Sequence, residues 1–388
     1  MPLSNEFKKK KVLIFSLVYL PEFVGGAEVA VHETVKRIPK EEVEFHLVAL
    51  RNKESKDGEY GNVFIHHVGV SVDGNSFIFK LEKYLFPIMS AFKSISLNRK
   101  YKFDTIWALM ANYAGFGALF TKLIFPKKRF VLTLQEGDPI PFILHRVRFV
   151  LPLFKMIFKK ANKIHAISNF LSQFAKDMGA KVVPVVIPNG VDLERFKRPA
   201  DFNREAVRAE LGYDENDFVL VTASRLVKKN AVDVVTLSLK DLPENVKFLI
   251  LGEGEDKEFL IKLARDSGVL SRIKFLGYTT HEDLPRYLYS ADAFIRPSRS
   301  EGLGSAFLEA MATGLPVIAT EAGGIPDFIK DRETGIFVAI DDPKDTALKI
   351  EELMNDKNLL KLISKNGEEL AFSKYDWQGI ADEIKKLF

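Results

Sequence analysis

The segment RPSRSEGLGSAFLEAMATGLPV (Arg296–Val317) combines a strand end, a glycine-containing loop, a helix and the start of another strand. The apolar run Ala293–Arg296 leads into the loop, the helix is predicted to begin near Ser305, and the next apolar run covers Pro316–Thr320. Strands that alternate with helices build a parallel sheet. Because these strands are apolar throughout, we expect helices to cover both faces of the sheet.

The same alternation continues on both sides of this segment. Before position 190 we expect strands at Val12–Leu20, Glu44–Leu50, Thr105–Leu109, Phe130–Leu134, Lys163–Ile167 and Val182–Ile187. After it we expect further strands at Phe218–Ser224, Lys247–Gly252, Ile273–Gly277 and Gly335–Val338. The turn-rich segment Pro188–Gly190 separates the two series. The sequence therefore predicts two α/β domains, residues 1–190 and 191–374, each with a sheet of its own.

Composition narrows the function classes. The net charge of +4 conceals +13 in residues 1–200 and −9 in the remainder, which suggests different partners for the two domains. The absence of cysteine excludes disulfides, cysteine-ligated zinc, iron–sulfur clusters and thiol nucleophiles. Seven scattered histidines without an HxxxH pair predict no metal site. Lys8–Lys11 and the apolar run after them lack a signal cleavage site, so we expect a buried first strand and a cytoplasmic protein.

The loop in the opening segment is suited to bind an anion. Gly302 and Gly304 let the backbone approach a ligand closely, and the helix after them offers unpaired N–H groups at its positive end. Glu301 and Glu309 are eight residues apart, at most roughly 12 Å along a helix. One carboxylate could hold ribose and the other a sugar, as in a nucleoside-diphosphate sugar. The alternative is an ordinary turn with two solvated carboxylates.

Six segments in this order resemble the glycosyltransferase family 4 enzymes, and the last of them matches the family's Glu-x7-Glu motif. They are Gly25–Glu28, Ile187–Asp192, Ala223–Lys229, Leu251–Gly254, Phe275–Tyr278 and Glu301–Glu309. The resemblance covers most of the chain. It implies the GT-B architecture, in which two Rossmann-like, doubly wound domains face a central cleft. It also implies transfer of a hexosyl group from a nucleoside-diphosphate sugar with retention of anomeric configuration.

The resemblance also implies the roles of individual residues. Arg225 would bind the donor diphosphate, Glu301 the transferred sugar and Glu309 the ribose. The family usually has a lysine five residues after the arginine, but Asn230 stands there, so Lys228 or Lys229 is expected to substitute. The expected catalytic residues are Arg225, Lys229 and Glu301. The full donor set is Gly25, Gly26, Arg225, Lys228, Lys229, Gly277, Tyr278, Glu301, Gly302, Leu303, Gly304, Ser305 and Glu309.

The acceptor side is predicted in the first domain. Gln135 and Glu136 follow the strand Phe130–Leu134, and many family members have histidine where Gln135 stands. Glutamine cannot transfer protons near neutral pH, so we expect Gln135 to bind a sugar hydroxyl. No enzyme nucleophile is evident, and the reaction is expected to need no metal or other cofactor. A terminal amphipathic helix over 375–388 is expected to pack back on the first domain.

Two segments are rich in basic and aromatic residues, and the sequence does not decide what they contact. Residues 139–163 contain six cations and no acidic residue, and residues 76–102 have a similar mixture. Such helices can lie on an anionic membrane surface, which would make the protein a peripheral one. They can equally cover the sheet with their apolar faces while the cations are solvated. No nucleic-acid recognition motif is present, so nucleic acid is not an expected partner.

Several functions remain open from the sequence alone. The donor could be a UDP- or GDP-sugar, and the acceptor a glycan, a lipid-linked sugar or a small molecule, as in polysaccharide or glycolipid biosynthesis. A sugar-nucleotide epimerase or a glycosyl phosphorylase could use the same fold. Gln135 and Asn230 would also suit an inactive subunit that only binds a nucleotide sugar.

Overall fold

The structure is a computed structural model that describes residues 9–21 and 25–388. The chain forms two compact units. The first contains the residues up to Glu136, then Ile140–Asn189 and the terminal Trp377–Phe388. The second contains Gly137–Pro139 and Gly190–Asp376.

Within the residues described, the first unit is built on an eight-stranded sheet. Its strands are β1 (Lys10–Phe15), β2 (Val43–Leu50), β3 (Gly58–Tyr60), β4 (Val63–Val68), β5 (Thr105–Leu109), β6 (Arg129–Leu134), β7 (Lys163–Ala166) and β8 (Val185–Val186). They lie in the order β3-β4-β2-β1-β5-β6-β7-β8, and only the β3–β4 pair is antiparallel. The helices are α1 (Gly26–Lys36), α2 (Phe77–Tyr101), α3 (Tyr113–Ile124), α4 (Ile140–Arg146), α5 (Leu151–Lys160) and α6 (Asn169–Asp177).

The second unit has a six-stranded, fully parallel sheet. Its strands are β9 (Phe218–Ala223), β10 (Val246–Leu251), β11 (Ile273–Gly277), β12 (Ala293–Arg296), β13 (Val317–Ala319) and β14 (Ile336–Phe337), in the order β11-β10-β9-β12-β13-β14. The remaining helices are α7 (Arg204–Glu210), α8 (Val232–Ser238), α9 (Lys257–Asp266), α10 (Leu284–Ser290), α11 (Ser305–Ala312), α12 (Pro343–Asn355), α13 (Lys357–Lys374) and α14 (Trp377–Lys385).

Helix α14 and the residues after it belong to the core of the first unit. The Phe388 ring packs against Trp107 and Phe45, with ring centroids 4.8 and 5.7 Å apart. The Lys10 ammonium donates to the Phe388 carbonyl over 2.7 Å. The last turn of the chain is therefore fixed to the sheet by both apolar packing and a hydrogen bond.

Both sheets reverse their direction of growth beside their first strand. In the second unit the chain proceeds from β9 outward to β11 and then returns to the other side of β9 at β12. In the first unit the equivalent point lies between β1 and β5. Open parallel sheets bind ligands at such a switch point, outside the carboxyl ends of the strands. In the second unit, those ends are Ala223 and Arg296.

The predicted α/β class with parallel sheets is confirmed, but several strand limits were wrong. Strand β1 ends at Phe15, and Tyr19 and Leu20 are buried without extending it. The expected strand Val182–Ile187 shortens to Val185–Val186 because Pro184 has no N–H to donate to a neighbouring strand. The hairpin of β3 and β4 was missed altogether, although the run Val63–Ile65 consists of three residues with high strand propensity.

Candidate active site

The loop between β12 and α11 has a backbone that requires glycine. Gly304 precedes the helix with a φ of 92°, and a Cβ there would lie 2.5 Å from the Phe307 ring. Gly302, Leu303 and Gly304 are buried, so main-chain groups line this turn. The first N–H groups of α11 have no partner inside the helix, as at every helix start. The turn therefore presents main-chain donors and the positive end of a helix.

Glu301 is held in this loop from both sides of its carboxylate. The Arg296 guanidinium donates through Nη2 to Oε2 over 2.8 Å, and the Gly302 N–H lies 3.1 Å from Oε1. The Glu301 carbonyl accepts from the Gly324 N–H at 3.2 Å. At Gly323, a Cβ would lie only 1.7 Å from that carbonyl oxygen, so only glycine fits beside the loop.

Glu309 lies in α11 with its side chain largely buried. Burial raises the pKa of its carboxyl, while the nearby side chains of His281, Arg296 and Arg195 oppose the rise. The His281 Nδ1 atom is 3.9 Å from Glu309 Oε1. The carboxylate thus has little contact with water and lies near basic side chains. A hydroxyl group of a ligand could donate to it and replace the hydrogen bonds to water that burial removes.

The loop after β9 is organised by the side chains of Asn230 and Arg299. The buried Asn230 donates through Nδ2 to the Arg225 carbonyl over 2.6 Å. Arg299 forms a bidentate pair with Asp233, at 3.0 and 2.7 Å, and donates from its main chain to the Lys229 carbonyl at 2.7 Å. Asn230 therefore faces inward as a support of the loop, while the Arg225 and Lys228 side chains are exposed.

Lys229 is the cation of this loop that faces Glu301. Its Nζ donates to the Gly137 carbonyl over 2.9 Å and lies 3.2 Å from Asp138 Oδ1. A Cβ on Gly137 would be 3.1 Å from that Nζ, 3.6 Å from Glu301 Oε1 and 3.6 Å from the Gly302 nitrogen. All these residues belong to the second unit. Lys229, Glu301 and the glycine loop thus meet around one small residue.

The loops after β10 and β11 complete the same edge of the sheet. A Cβ on Gly252 would lie 2.0 Å from the Ser224 carbonyl oxygen, and one on Gly254 2.1 Å from that of Leu226. The Gly252 N–H donates to the Gly277 carbonyl over 2.7 Å, and Gly277 has a φ of 84°. The loops that carry Arg225 and Gly277 are therefore both packed against Gly252–Gly254. Tyr278 is 67% exposed.

The remaining predicted residues lie in the first unit. Gly25 precedes α1 and Gly26 begins it, and no atom of the described residues lies within 4 Å of where a Gly26 Cβ would be. Gln135 Oε1 accepts from the Asn189 amide at 3.2 Å. Glu136 Oε1 accepts from the Ala111 N–H at 2.7 Å, which ties the loop after β6 to the end of β5. Both side chains after β6 thus support loops at the carboxyl edge of the first sheet.

Sequence reasoning missed six residues of this region: Arg296, Arg299, Gly323, Gly137, Asp138 and His281. Arg296 ends an apolar strand and offered no signal beyond its charge. Gly323 belongs to the pair Gly323-Gly324, which follows a strand and could have been recognised as a close approach. Gly137 and Lys229 are far apart in sequence, so no local pattern could join them.

Two family models match the chain along most of its length. The family model described as "Glycosyltransferase Family 4" matches residues 24–195, and "Glycosyl transferases group 1" matches residues 203–370. An uncharacterised glycosyltransferase of Methanocaldococcus jannaschii is 28% identical over 97% of both chains. A GDP-mannose-dependent alpha-(1-6)-phosphatidylinositol monomannoside mannosyltransferase of Mycobacterium tuberculosis is 32% identical over 55% of this chain and 57% of its own.

Solved structures match the fold over nearly the whole chain. Sucrose-phosphate synthase of Thermosynechococcus elongatus has a TM-score of 0.83 at 18% identity and covers 98% of both chains. Anabaena HepE in complex with UDP-glucose has a TM-score of 0.79 at 20% identity and covers 97% of this chain and 98% of its own. The predicted GT-B architecture is therefore confirmed. The two family models together match most of the sequence, and this chain belongs to the family 4 glycosyltransferases.

Proposed function

We propose that this glycosyltransferase moves a hexosyl group from a nucleoside-diphosphate sugar to an acceptor hydroxyl and retains the anomeric configuration. The observation that carries the proposal is the meeting of Lys229, Glu301 and the Gly302 main chain around Gly137, beside the switch point of the second sheet. Two relatives support the donor class. HepE binds UDP-glucose, and the mycobacterial mannosyltransferase depends on GDP-mannose.

The diphosphate is the natural ligand of the cations at this edge. Arg225 and Lys229 bind its oxygens, Lys228 adds charge nearby, and the N–H groups of Gly302–Ser305 contact phosphate and sugar. These groups stabilise the charge that develops on the leaving diphosphate, which is commonly the largest contribution to catalysis. We propose that they do so without a divalent metal.

The sugar, ribose and base of the donor substrate are assigned to the remaining predicted residues. Glu301 accepts hydrogen bonds from the hydroxyls of the transferred sugar, and Glu309 from those of the ribose. The nucleobase lies against Gly277 and the exposed Tyr278. Because main-chain groups contact the base, both uracil and guanine are compatible with this part of the site.

The chemical step needs no covalent enzyme intermediate. The bond between the anomeric carbon and the phosphate oxygen breaks, and the acceptor oxygen attacks the same face of the sugar. The acceptor proton passes to the departing phosphate, so the atoms and charges balance. Gln135 orients an acceptor hydroxyl, while Glu136 supports the loop that carries it.

The surface of the first unit favours a lipid-linked acceptor at a membrane. Helix α2 begins at the N-cap Ser76 and buries one side, from Phe79 to Leu97, against the unit. Its opposite side is apolar and exposed, with Phe77 80% and Phe92 69% accessible. The exposed apolar residues of this side, which we call the α2 ridge, are Phe77, Ile78, Leu81, Tyr84, Leu85, Ile88 and Phe92.

The α2 ridge lies close to the carboxyl end of β5. The Tyr84 ring packs edge-to-face on Tyr113, the first residue of α3, with centroids 5.7 Å apart. The Arg146 guanidinium at the end of α4 donates to the Tyr113 hydroxyl over 3.2 Å. Farther along, Arg148 lies 4.4 Å from the centre of the 84% exposed Phe149 ring. Cations thus accompany the exposed aromatic rings beside the acceptor edge.

Apolar side chains flanked by cations match an anionic bilayer, in which the rings enter the interface and the cations meet lipid phosphates. Among the described residues, no helix has the length and hydrophobicity needed to cross a membrane. We therefore propose a peripheral enzyme of glycolipid biosynthesis at the cytoplasmic membrane face, which binds through residues 76–102 and 139–163. The mycobacterial relative, named for a phosphatidylinositol mannoside acceptor, supports this class.

The donor and the stereochemistry can be tested together. We expect UDP or GDP, with its sugar, to raise the melting temperature specifically, because a ligand of the native state stabilises it by mass action. With the donor so identified, NMR of the product formed in EDTA should show the anomeric configuration of the donor. An inverted product would contradict retention, and activity that requires added Mg²⁺ would contradict the metal-free mechanism.

The membrane surface has its own test in vesicle sedimentation. We expect binding to vesicles that contain phosphatidylglycerol and little binding to pure phosphatidylcholine. The triple variant F77S/L81S/F92S should bind at least tenfold more weakly, since each buried apolar side chain contributes about 1.5–3 kcal/mol. Phe259→Ser, which removes a 55% exposed ring from the second unit, is the matched control. Wild-type binding by the triple variant would mean that these helices only cover the sheet.

A further inference from the structure

Arg296 is a buried cation that none of the proposed roles uses. It is the last residue of β12, and its side chain is 7% exposed. Besides Glu301, it reaches the Ala223 carbonyl at 3.4 Å, and its guanidinium carbon lies 4.4 Å from the centre of the Phe307 ring. A charge this deeply buried is strongly destabilising unless it is paired. Its ionic partner is a carboxylate of the donor site.

The pair fixes Glu301 to the rigid part of the unit. Glu301 lies in the loop between β12 and α11, whose residues have no regular secondary structure. Arg296 belongs to the sheet and packs on Phe307 of α11, so its hydrogen bond ties the loop carboxylate to both elements. The Gly302 N–H fixes the second oxygen at 3.1 Å. Each carboxylate oxygen therefore has one defined direction left for a further donor.

The same guanidinium also acts on the second carboxylate of the motif. Burial raises the pKa of Glu309, and the charge of Arg296 is one of the influences that lower it again. Arg296 is thus the residue that contacts one carboxylate and electrostatically favours the ionised form of the other. Ionised carboxylates are the better acceptors for sugar and ribose hydroxyls.

We propose that Arg296 is a positioning residue that orients Glu301 toward the sugar of the donor. The inference rests on the proposed function, in which Glu301 contacts the transferred sugar. Because Arg296 acts through Glu301, its removal should weaken recognition of the sugar. Recognition of the nucleoside diphosphate alone should be little affected, since Arg225 and Lys229 provide that binding.

Titration calorimetry with UDP, UDP-glucose, GDP and GDP-mannose separates the two contributions. For the pair that the wild-type protein prefers, Arg296→Met should bind the sugar nucleotide about tenfold more weakly, the scale of one charge-assisted hydrogen bond. Its affinity for the diphosphate should stay within about twofold, which is small on that scale. Arg296→Lys, which keeps the charge, should restore part of the loss. Glu301→Gln should show a similar loss, and the double variant no further loss.

Arg208→Met is the matched control, because Arg208 is also 7% exposed and pairs with Asp292 at 3.3 Å in the same unit. It should lower the melting temperature and leave the preference for the sugar nucleotide unchanged. Equal weakening of both ligands by Arg296→Met, or additive losses in the double variant, would overturn the proposal. A wild-type protein that binds none of the four nucleotides would instead contradict the proposed donor, and with it the role of Arg296.

Discussion

The two sheets of this protein share a switch point beside their first strand and differ in the residues at their carboxyl edges. Both turn back beside their first strand, at β1/β5 and at β9/β12. At the second edge, Arg225, Lys229 and a glycine loop present cations and main-chain donors. At the first edge, the Glu136 carboxylate accepts a hydrogen bond from the Ala111 N–H and so joins the loops after β6 and β5. Exposed aromatic residues lie nearby. The switch point thus predicts where a ligand binds, and the loop residues predict which ligand it is.

The two halves of the chain also differ in net charge, but the half with the proposed phosphate site is the acidic one. The half that carries the proposed phosphate site has a net charge of −9, and the other half +13. Phosphate binding in an acidic domain must come from local geometry, because the summed field of the domain opposes it. The basic domain can attract an anionic surface through its overall field. Raising the salt concentration should therefore weaken vesicle binding more than donor binding.

The largest expected effect concerns the cations at the second edge. Arg225→Ala should lower kcat/KM for the donor about 10²–10³-fold, because it removes charge stabilisation of the leaving diphosphate. Arg146→Ala, which removes a cation from the first edge, should change kcat/KM less than twofold with an acceptor that needs no membrane, since such a surface charge does not contact the reacting atoms. Initial rates at subsaturating donor measure both. Equal losses in the two variants would remove the proposed distinction between the edges.

A smaller effect is expected at Asn230, whose buried amide supports the loop after β9 at the second edge. Asn230→Ala leaves the Arg225 carbonyl without its 2.6 Å hydrogen bond and should cost about 1–3 kcal/mol of unfolding free energy. Urea denaturation of the variant and the wild-type protein measures this loss of unfolding free energy. Asn245→Ala, which removes an exposed amide hydrogen bond to Asn216, is the control and should cost less. A stable Asn230→Ala protein with reduced turnover would indicate direct contact with the donor.

The smallest effect is the pH dependence that Glu309 contributes. The pKa of the Glu309 carboxyl is higher in the folded protein than in the unfolded chain. Its contribution to stability is therefore fully present below the pKa of the unfolded chain, and it is lost as the pH rises through the pKa of the folded protein. Glu309→Gln should therefore gain stability relative to wild type at neutral pH and lose that gain in acid, while it weakens nucleotide binding. Thermal unfolding between about pH 4 and 8 tests the sign, a range that spans the usual glutamate pKa. A gain that is largest in acid would contradict it.

The sequence predicted those parts of the structure that have a local signature. The β12–α11 turn follows from Gly302, Gly304 and an apolar strand before them, and the structure forms it there. The orientation of Asn230 was out of reach, because only tertiary packing determines that its amide turns inward. Gly137 and Lys229 meet across a long stretch of chain, and the Arg296–Glu301 pair required knowing on which side of β12 the arginine lies.

The most direct test of the account is the affinity of the nucleoside diphosphate for two charge variants, one from each edge. Lys229→Met should bind the preferred diphosphate at least tenfold more weakly than wild type, since it loses a charge-assisted bond to phosphate. Arg146→Met, from the first edge, should bind it as wild type does. Wild-type affinity in Lys229→Met, or an equal loss in Arg146→Met, would contradict a donor site at the second edge.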